Sequence, residues 1–125
     1  MATVVVGYVP KPEGEAALDA AIEEAKRRGA DLVVVNAHHA GAESAPDLDA
    51  VRGKLTESGV TFDLREIVQG LDASEDLIAV ASETSAELIV IGLRRRTPVG
   101  KLILGSNAQR VLLDAPCPVL AVKAD

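Results

Sequence analysis

The 125 residues are predicted to fold as an α/β domain, an open five-stranded parallel sheet with helices on both faces. Three features of the sequence carry this expectation. Short runs rich in Val, Ile and Leu recur along the chain. Several are nearly continuous in apolar character, as strands buried on both faces of a parallel sheet must be. The stretches between them show helical spacing rather than alternation.

The first strand is expected at Thr3–Val9. Behind it Ala17, Leu18, Ala21, Ile22 and Ala25 recur at helical intervals and form one apolar face. Glu23, Glu24, Lys26, Arg27 and Arg28 fall largely on the other side. The acid-to-base gradient along this helix suits its dipole, and Gly29 is placed to end it. The second strand is Asp31–Ala37. A weaker helix, Asp47–Ser58, is interrupted by Gly53 and closed by Gly59. The third strand is Val60–Val68. Asp72-Ala-Ser-Glu75 has the form of a capping box, with Leu77, Ile78, Val80 and Ala81 as the apolar stripe behind it. The fourth strand is Glu87–Ile91, whose apolar run stops at Gly92. Ser106–Leu113 is a short helix ended by Ala115-Pro116, and Pro118–Val122 is the last strand. The order βαβαβαβαβ implies right-handed crossovers and a twisted sheet. No repeat, low-complexity tract or linker divides the chain, so residues 1–125 are expected to form one domain.

Composition narrows the function. Apolar residues make up 48% of the chain, too many for disorder. Tyr8 and Phe62 are the whole aromatic inventory, which argues against stacking on single-stranded nucleic acid. The net charge of −6 opposes binding to a phosphate backbone. Arg94, Arg95 and Arg96 can hold one small anion but do not make a groove. The lone Cys117 allows no intrachain disulfide and suits a reducing compartment. No basic segment precedes the opening apolar run, and no run approaches the ~18 residues of a membrane helix. A cytoplasmic protein with neither membrane nor nucleic-acid partner is expected.

The segment from Leu88 to Asn107 is the most informative. Its apolar run gives way to a basic loop, and Gly105-Ser106-Asn107 then opens a helix. In an open α/β sheet ligands sit beyond the carboxyl ends of the strands, and a helix N-terminus offers unpaired amides to an anion. Gly92 would let backbone pass close to a ligand. The amides of Gly105, Ser106 and Asn107, with the Ser106 hydroxyl, would then face phosphate oxygens. The competing reading is a plain strand-end glycine and a plain N-cap serine. Arg95 stands where the phosphate reading calls for a glycine.

Other candidates have simpler explanations. His38 and His39 are adjacent on a strand, so they point to opposite faces and make no metal pair. Cys117 lacks a neighbouring base and reads as a small hydrophobe. Asp47, Asp49, Asp72 and Asp76 lie at helix starts, where carboxylates complement the dipole. Tyr8 receives no role. The chain has no phosphate loop of the Gly-Lys-Ser/Thr type, because Gly100-Lys101 is followed by a leucine, and it has no nucleophile elbow. An enzyme is not expected.

Glu87-Leu-Ile-Val-Ile-Gly92, the loop ending in Gly105-Ser106, and Asp114-Ala-Pro-Cys-Pro-Val-Leu-Ala-Val122 together resemble the universal stress protein family. The likeness extends to Val4-Val-Val-Gly7 and the segment Asp72–Ala86. It implies a Rossmann-like fold of the adenine-nucleotide α-hydrolase type. It also implies a site for ATP or another adenine nucleotide, with Mg²⁺ only as the nucleotide's companion. On this resemblance the binding residues would be Gly92, Arg95, Gly105, Ser106 and Asn107. The chain departs from the family pattern twice. Arg95 replaces the loop's second glycine, and Val9 stands where the family usually has an aspartate near the adenosine. A guanidinium at Arg95 either fills the ribose space or grips phosphate oxygens as a fork. Two functions follow. One is a regulatory module that binds nucleotide. The other is a ligand-free interaction protein whose pocket Arg95 and Val9 have closed. In both, the resemblance implies a homodimer formed through the edge strand Pro118–Val122.

Overall fold

The computed structural model describes residues 2–9, 11–39, 48–69, 73–94 and 106–124. They form β1 (Thr3–Tyr8), α1 (Pro12–Arg28), β2 (Asp31–His39), α2 (Asp49–Ser58), β3 (Phe62–Gln69), α3 (Ala73–Glu83), β4 (Leu88–Arg94), α4 (Ser106–Asp114) and β5 (Val119–Ala124). The five strands make one sheet in the order β3-β2-β1-β4-β5, and every neighbouring pair is parallel.

Alternation along each strand divides the core in two. Val4, Val6 and Tyr8 of β1, with Leu32 and Val34 of β2, face α1 and α2. There Leu18 and Leu55 are fully buried. Val5, Val33, Val35, Ile89 and Ile91 face the other way, against Leu77, Val80 and Ala81 of α3 and Val111 of α4. Each such side chain taken wholly out of water contributes about 1.5–3 kcal/mol. Helices therefore cover both faces, as the near-continuous apolar strands require.

Helix α1 shows how local sequence sets an element. Pro12 opens it, where a missing amide hydrogen costs nothing. Ala17, Leu18, Ala21, Ile22 and Ala25 are all buried. Gly29 ends it in a left-handed conformation, φ 62°. The Gly29 amide donates to the Lys26 carbonyl at 3.3 Å and the Ala30 amide to that of Ala25 at 2.9 Å, closing the helix end.

The strands differ in extent from the expected runs. The ladder between β2 and β3 continues to His38↔Val68 and His39↔Gln69, because backbone pairing is indifferent to side-chain polarity. More consequentially, β4 does not stop before Gly92. It runs on to Arg94, with Gly92 paired to Val122 of β5.

Candidate functional site

The strand order reverses between β1 and β4. From β1 the chain winds through β2 to β3, and from β4 it winds the opposite way to β5. At such a switch point the helices leave a crevice beyond the carboxyl ends of the two central strands. A cavity of about 160 Å³ lies there.

Its walls come from six elements. Gly7, Tyr8 and Val9 belong to the end of β1, Val35 to β2, and Ile91 and Gly92 to β4. Glu13 and Gly14 come from the first turn of α1, Ser74 and Leu77 from that of α3, and Ala108 and Val111 from α4. Three helices thus begin at this cavity. Apart from Glu13, Ser74 and the Tyr8 hydroxyl, the lining side chains are apolar.

Close backbone approaches shape the entrance. A Cβ on Gly14 would run into the carbonyl of Val9, and one on Gly92 would run into the carbonyl of Glu13. The first turn of α1 therefore rests directly on the ends of β1 and β4. A Cβ on Gly7 would meet Leu77 at 3.2 Å, so that glycine leaves room for the leucine on the cavity wall. The Lys11 amide donates to the Val9 carbonyl at 2.8 Å, and the Glu15 amide to the Lys11 carbonyl at 3.0 Å.

Among the described residues two buried polar side-chain atoms have no hydrogen-bond partner, Oε1 of Glu13 and Nδ2 of Asn36. Glu13 lines the cavity. Asn36 is fully buried in β2, opposite Tyr8 in the register. Ser74 is also fully buried, and it already has a polar or electrostatic partner. Tyr8 points its hydroxyl at Glu15 of α1 and donates to Oε1 at 2.9 Å. Burial first, then the hydrogen bond and charge of Glu15, push the Tyr8 phenol up to about 12. Glu15 also accepts from Lys54 of α2 at 3.3 Å, and Lys54 reaches Asp19 at 2.7 Å. On the opposite face Arg110 of α4 pairs with Glu75 of α3 at 2.9 Å, tying together two helices that border the cavity.

Of the expected site residues, Gly92 lines the cavity, though as a mid-strand glycine under α1 rather than at a strand's last position. Ser106 and Asn107 begin α4, with their backbone at the helix N-terminus. Arg95 and Gly105 lie outside the described residues, as do the Asp47 and Asp72 of the expected helix starts. Asp76 lies in the first turn of α3, at a helix start as expected, and is buried with a partner. Val9 lines the cavity without filling it. Cys117 is half-buried against the α3/α4 side of the core, and that burial pushes its thiol up, in keeping with a small hydrophobe. Among the described residues no group of three or more His, Cys, Asp and Glu could hold a metal ion, and no helix is long and apolar enough to cross a membrane. Glu13 and Ser74 escaped the sequence reading. A single acid at the start of a helix and a serine inside Asp72-Ala-Ser-Glu75 carry no local signal of a cavity wall.

Sheet order, crevice and converging helix starts define a doubly wound α/β domain with a crevice where the strand order reverses. Residues 1–123 match the universal stress protein family, and the chain belongs to that family. A universal stress protein of Mycolicibacterium smegmatis is 48% identical over 96% of both chains. The solved universal stress protein of Archaeoglobus fulgidus is 32% identical, with a TM-score of 0.77 over 98% of this chain and 99% of that one. Another structure from A. fulgidus is a universal stress protein in complex with dAMP. It is 27% identical, with a TM-score of 0.72 over 98% of each chain.

Proposed function

We propose that this universal stress protein is a regulatory module that binds an adenine nucleotide at the crevice between β1 and β4. One observation carries the reading: the cavity at the switch point, apolar on its inner walls and bordered by the first turns of α1, α3 and α4. A flat base fits against Gly7, Val35, Leu77 and Ile91. The N-terminus of α4, at Ser106 and Asn107, offers amides to phosphate. Gly105, next to that helix in sequence, and Arg95, next to the end of β4, complete the proposed phosphate contacts. Mg²⁺ would enter with the phosphates of the nucleotide. The complex of the A. fulgidus relative with dAMP supports the ligand class.

We read residues 1–125 as one such domain, acting as a homodimer through β5. The free thiol of Cys117 fits a reducing compartment, and we place the protein in the cytoplasm.

The test is thermal unfolding with and without millimolar Mg-ATP, AMP or cyclic AMP, with inorganic phosphate as the control. Ligand at about 100 times its dissociation constant stabilises by about 2.7 kcal/mol, a rise of several degrees in Tm. A shift with an adenine nucleotide and none with phosphate is the expected outcome. No shift with any of them overturns the nucleotide reading and leaves a ligand-free interaction protein.

A further inference from the structure

We infer that α4 is shared between the nucleotide site and the dimer, its Leu112 flank receiving a second copy of this chain, so that nucleotide and partner strengthen each other's binding. The inference rests on the nucleotide and homodimer readings above. Its starting point is how lightly α4 is held. Among its described residues only Val111 is buried, whereas each of the other helices buries two or more. Of the large apolar side chains exposed among the described residues, Leu112, Leu113 and Leu120 lie on α4 and β5, and Val9 lies at the cavity. Away from the cavity, exposed apolar surface is therefore gathered at one end of the sheet.

Helical geometry fixes the direction of each α4 side chain, since successive residues turn by about 100° around the axis. Val111 enters the core beneath the helix, and Arg110 reaches sideways to Glu75 of α3. The next steps in the same sense carry Leu112 to the opposite flank and Leu113 to the top, in keeping with exposures of 41% and 83%. In the sheet order β3-β2-β1-β4-β5, α3 lies over β1 and β2. The flank of α4 turned away from α3 therefore faces the free edge of β5.

A second copy fits this flank by charge as well as by apolar contact. Asp114 ends α4 just before β5 begins, and Lys123 is exposed near the end of β5. Lys123 alternates with Val119 and Ala121, which pack on the α4 side of the sheet, so it lies on that side too. Two β5 strands paired antiparallel about a two-fold axis bring the start of each beside the end of the other. Asp114 of each copy then faces Lys123 of the other, on the same side of the sheet as Leu112.

The coupling follows from the shared helix. Phosphate held by the Ser106 and Asn107 amides fixes the N-terminal end of α4, whose Ala108 and Val111 border the cavity. A partner packed on Leu112 fixes the same helix from its flank. Whichever binds first restricts α4, and the second meets a surface already ordered, which is positive cooperativity.

The experiment is sedimentation equilibrium of the wild type, Leu112→Gln and Leu113→Gln, each alone and with millimolar AMP or Mg-ATP. Thermal unfolding of the same samples reports separately whether the nucleotide binds. In the wild type, a nucleotide that raises Tm should lower the dimer dissociation constant about tenfold. Leu112→Gln should raise that constant about tenfold. Leu113→Gln makes the same chemical change on the outer face of α4 and should leave the constant as it is. By reciprocity the monomer made by Leu120→Lys should bind the nucleotide about tenfold more weakly than the wild-type dimer does. A dimer constant that is indifferent to a nucleotide known to bind overturns the inference, as does a Leu112→Gln protein that dimerises like the wild type. In both cases the nucleotide and homodimer readings survive. A wild type that stays monomeric overturns the homodimer reading together with the inference. One whose Tm no nucleotide moves overturns the nucleotide reading together with it.

Discussion

Gly14 and Gly92 carry more of this architecture than their size suggests. Each lies where a methyl group would meet a backbone carbonyl rather than a yielding side chain. Relief would require α1 to move off the sheet, taking Glu13 and one wall of the cavity with it. Overpacking of this kind typically costs about 1–3 kcal/mol. Gly53 makes the useful contrast, because it sits on an exposed stretch of α2 with nothing within 4 Å of the site of an added Cβ. Alanine there removes only the entropy penalty of a helical glycine, a gain of about 0.5–1 kcal/mol. Denaturant midpoints should therefore fall for Gly14→Ala and Gly92→Ala and rise for Gly53→Ala. Equal behaviour of the three variants would contradict the close approach of α1 to the ends of β1 and β4.

At the level of elements, one polar chain joins a strand to two helices: Tyr8 on β1, Glu15 and Asp19 on α1, and Lys54 on α2. Burial and Glu15 raise the Tyr8 phenol to about 12, and the hydrogen bond to Asp19 is the chief cause raising Lys54. Both groups hold their protons more tightly folded than unfolded. Their contribution is complete below the ordinary values and is lost as pH rises through the folded ones, for Tyr8 from about 10 to about 12. Tyr8 is the only tyrosine, so phenolate absorbance reports it alone. Its midpoint should lie well above 10 in the native protein and return to about 10 in denaturant. A native midpoint near 10 would remove the argument for this link. The elements themselves were legible to different degrees, for physical reasons. Helix α1 was plain because its stripe and its terminating Gly29 are local signals. The end of β4 was not, because a glycine after an apolar run reads as a stop. Only the packing of α1 onto Gly92 shows why a strand continues through it. That a crevice should lie beyond the carboxyl ends of the strands was legible from the alternation of strands and helices. The place of Glu13 in the cavity wall was not, since an acid in a first helical turn has a sufficient local explanation.

For the whole molecule, the two edges of the sheet make unlike surfaces. The edge strand β3 carries Asp63, Arg65 and Glu66, the charges that discourage another strand from pairing. The other edge, β5, reads Val119-Leu-Ala-Val122 with no charge before Lys123, and Leu120 is 37% exposed. An apolar edge with open hydrogen-bonding groups invites a partner, and a second copy of β5 across a two-fold axis presents the same apolar strand in return. The proposed homodimer is therefore expected by sedimentation at micromolar concentration. Leu120→Lys places a charge on that edge at a position already partly in water, so it should produce a monomer while leaving the fold intact. A wild type that sediments as a monomer rules out the assembly. A dimer that survives Leu120→Lys would move the interface away from β5, to a face other than the one the charge pattern of the sheet selects.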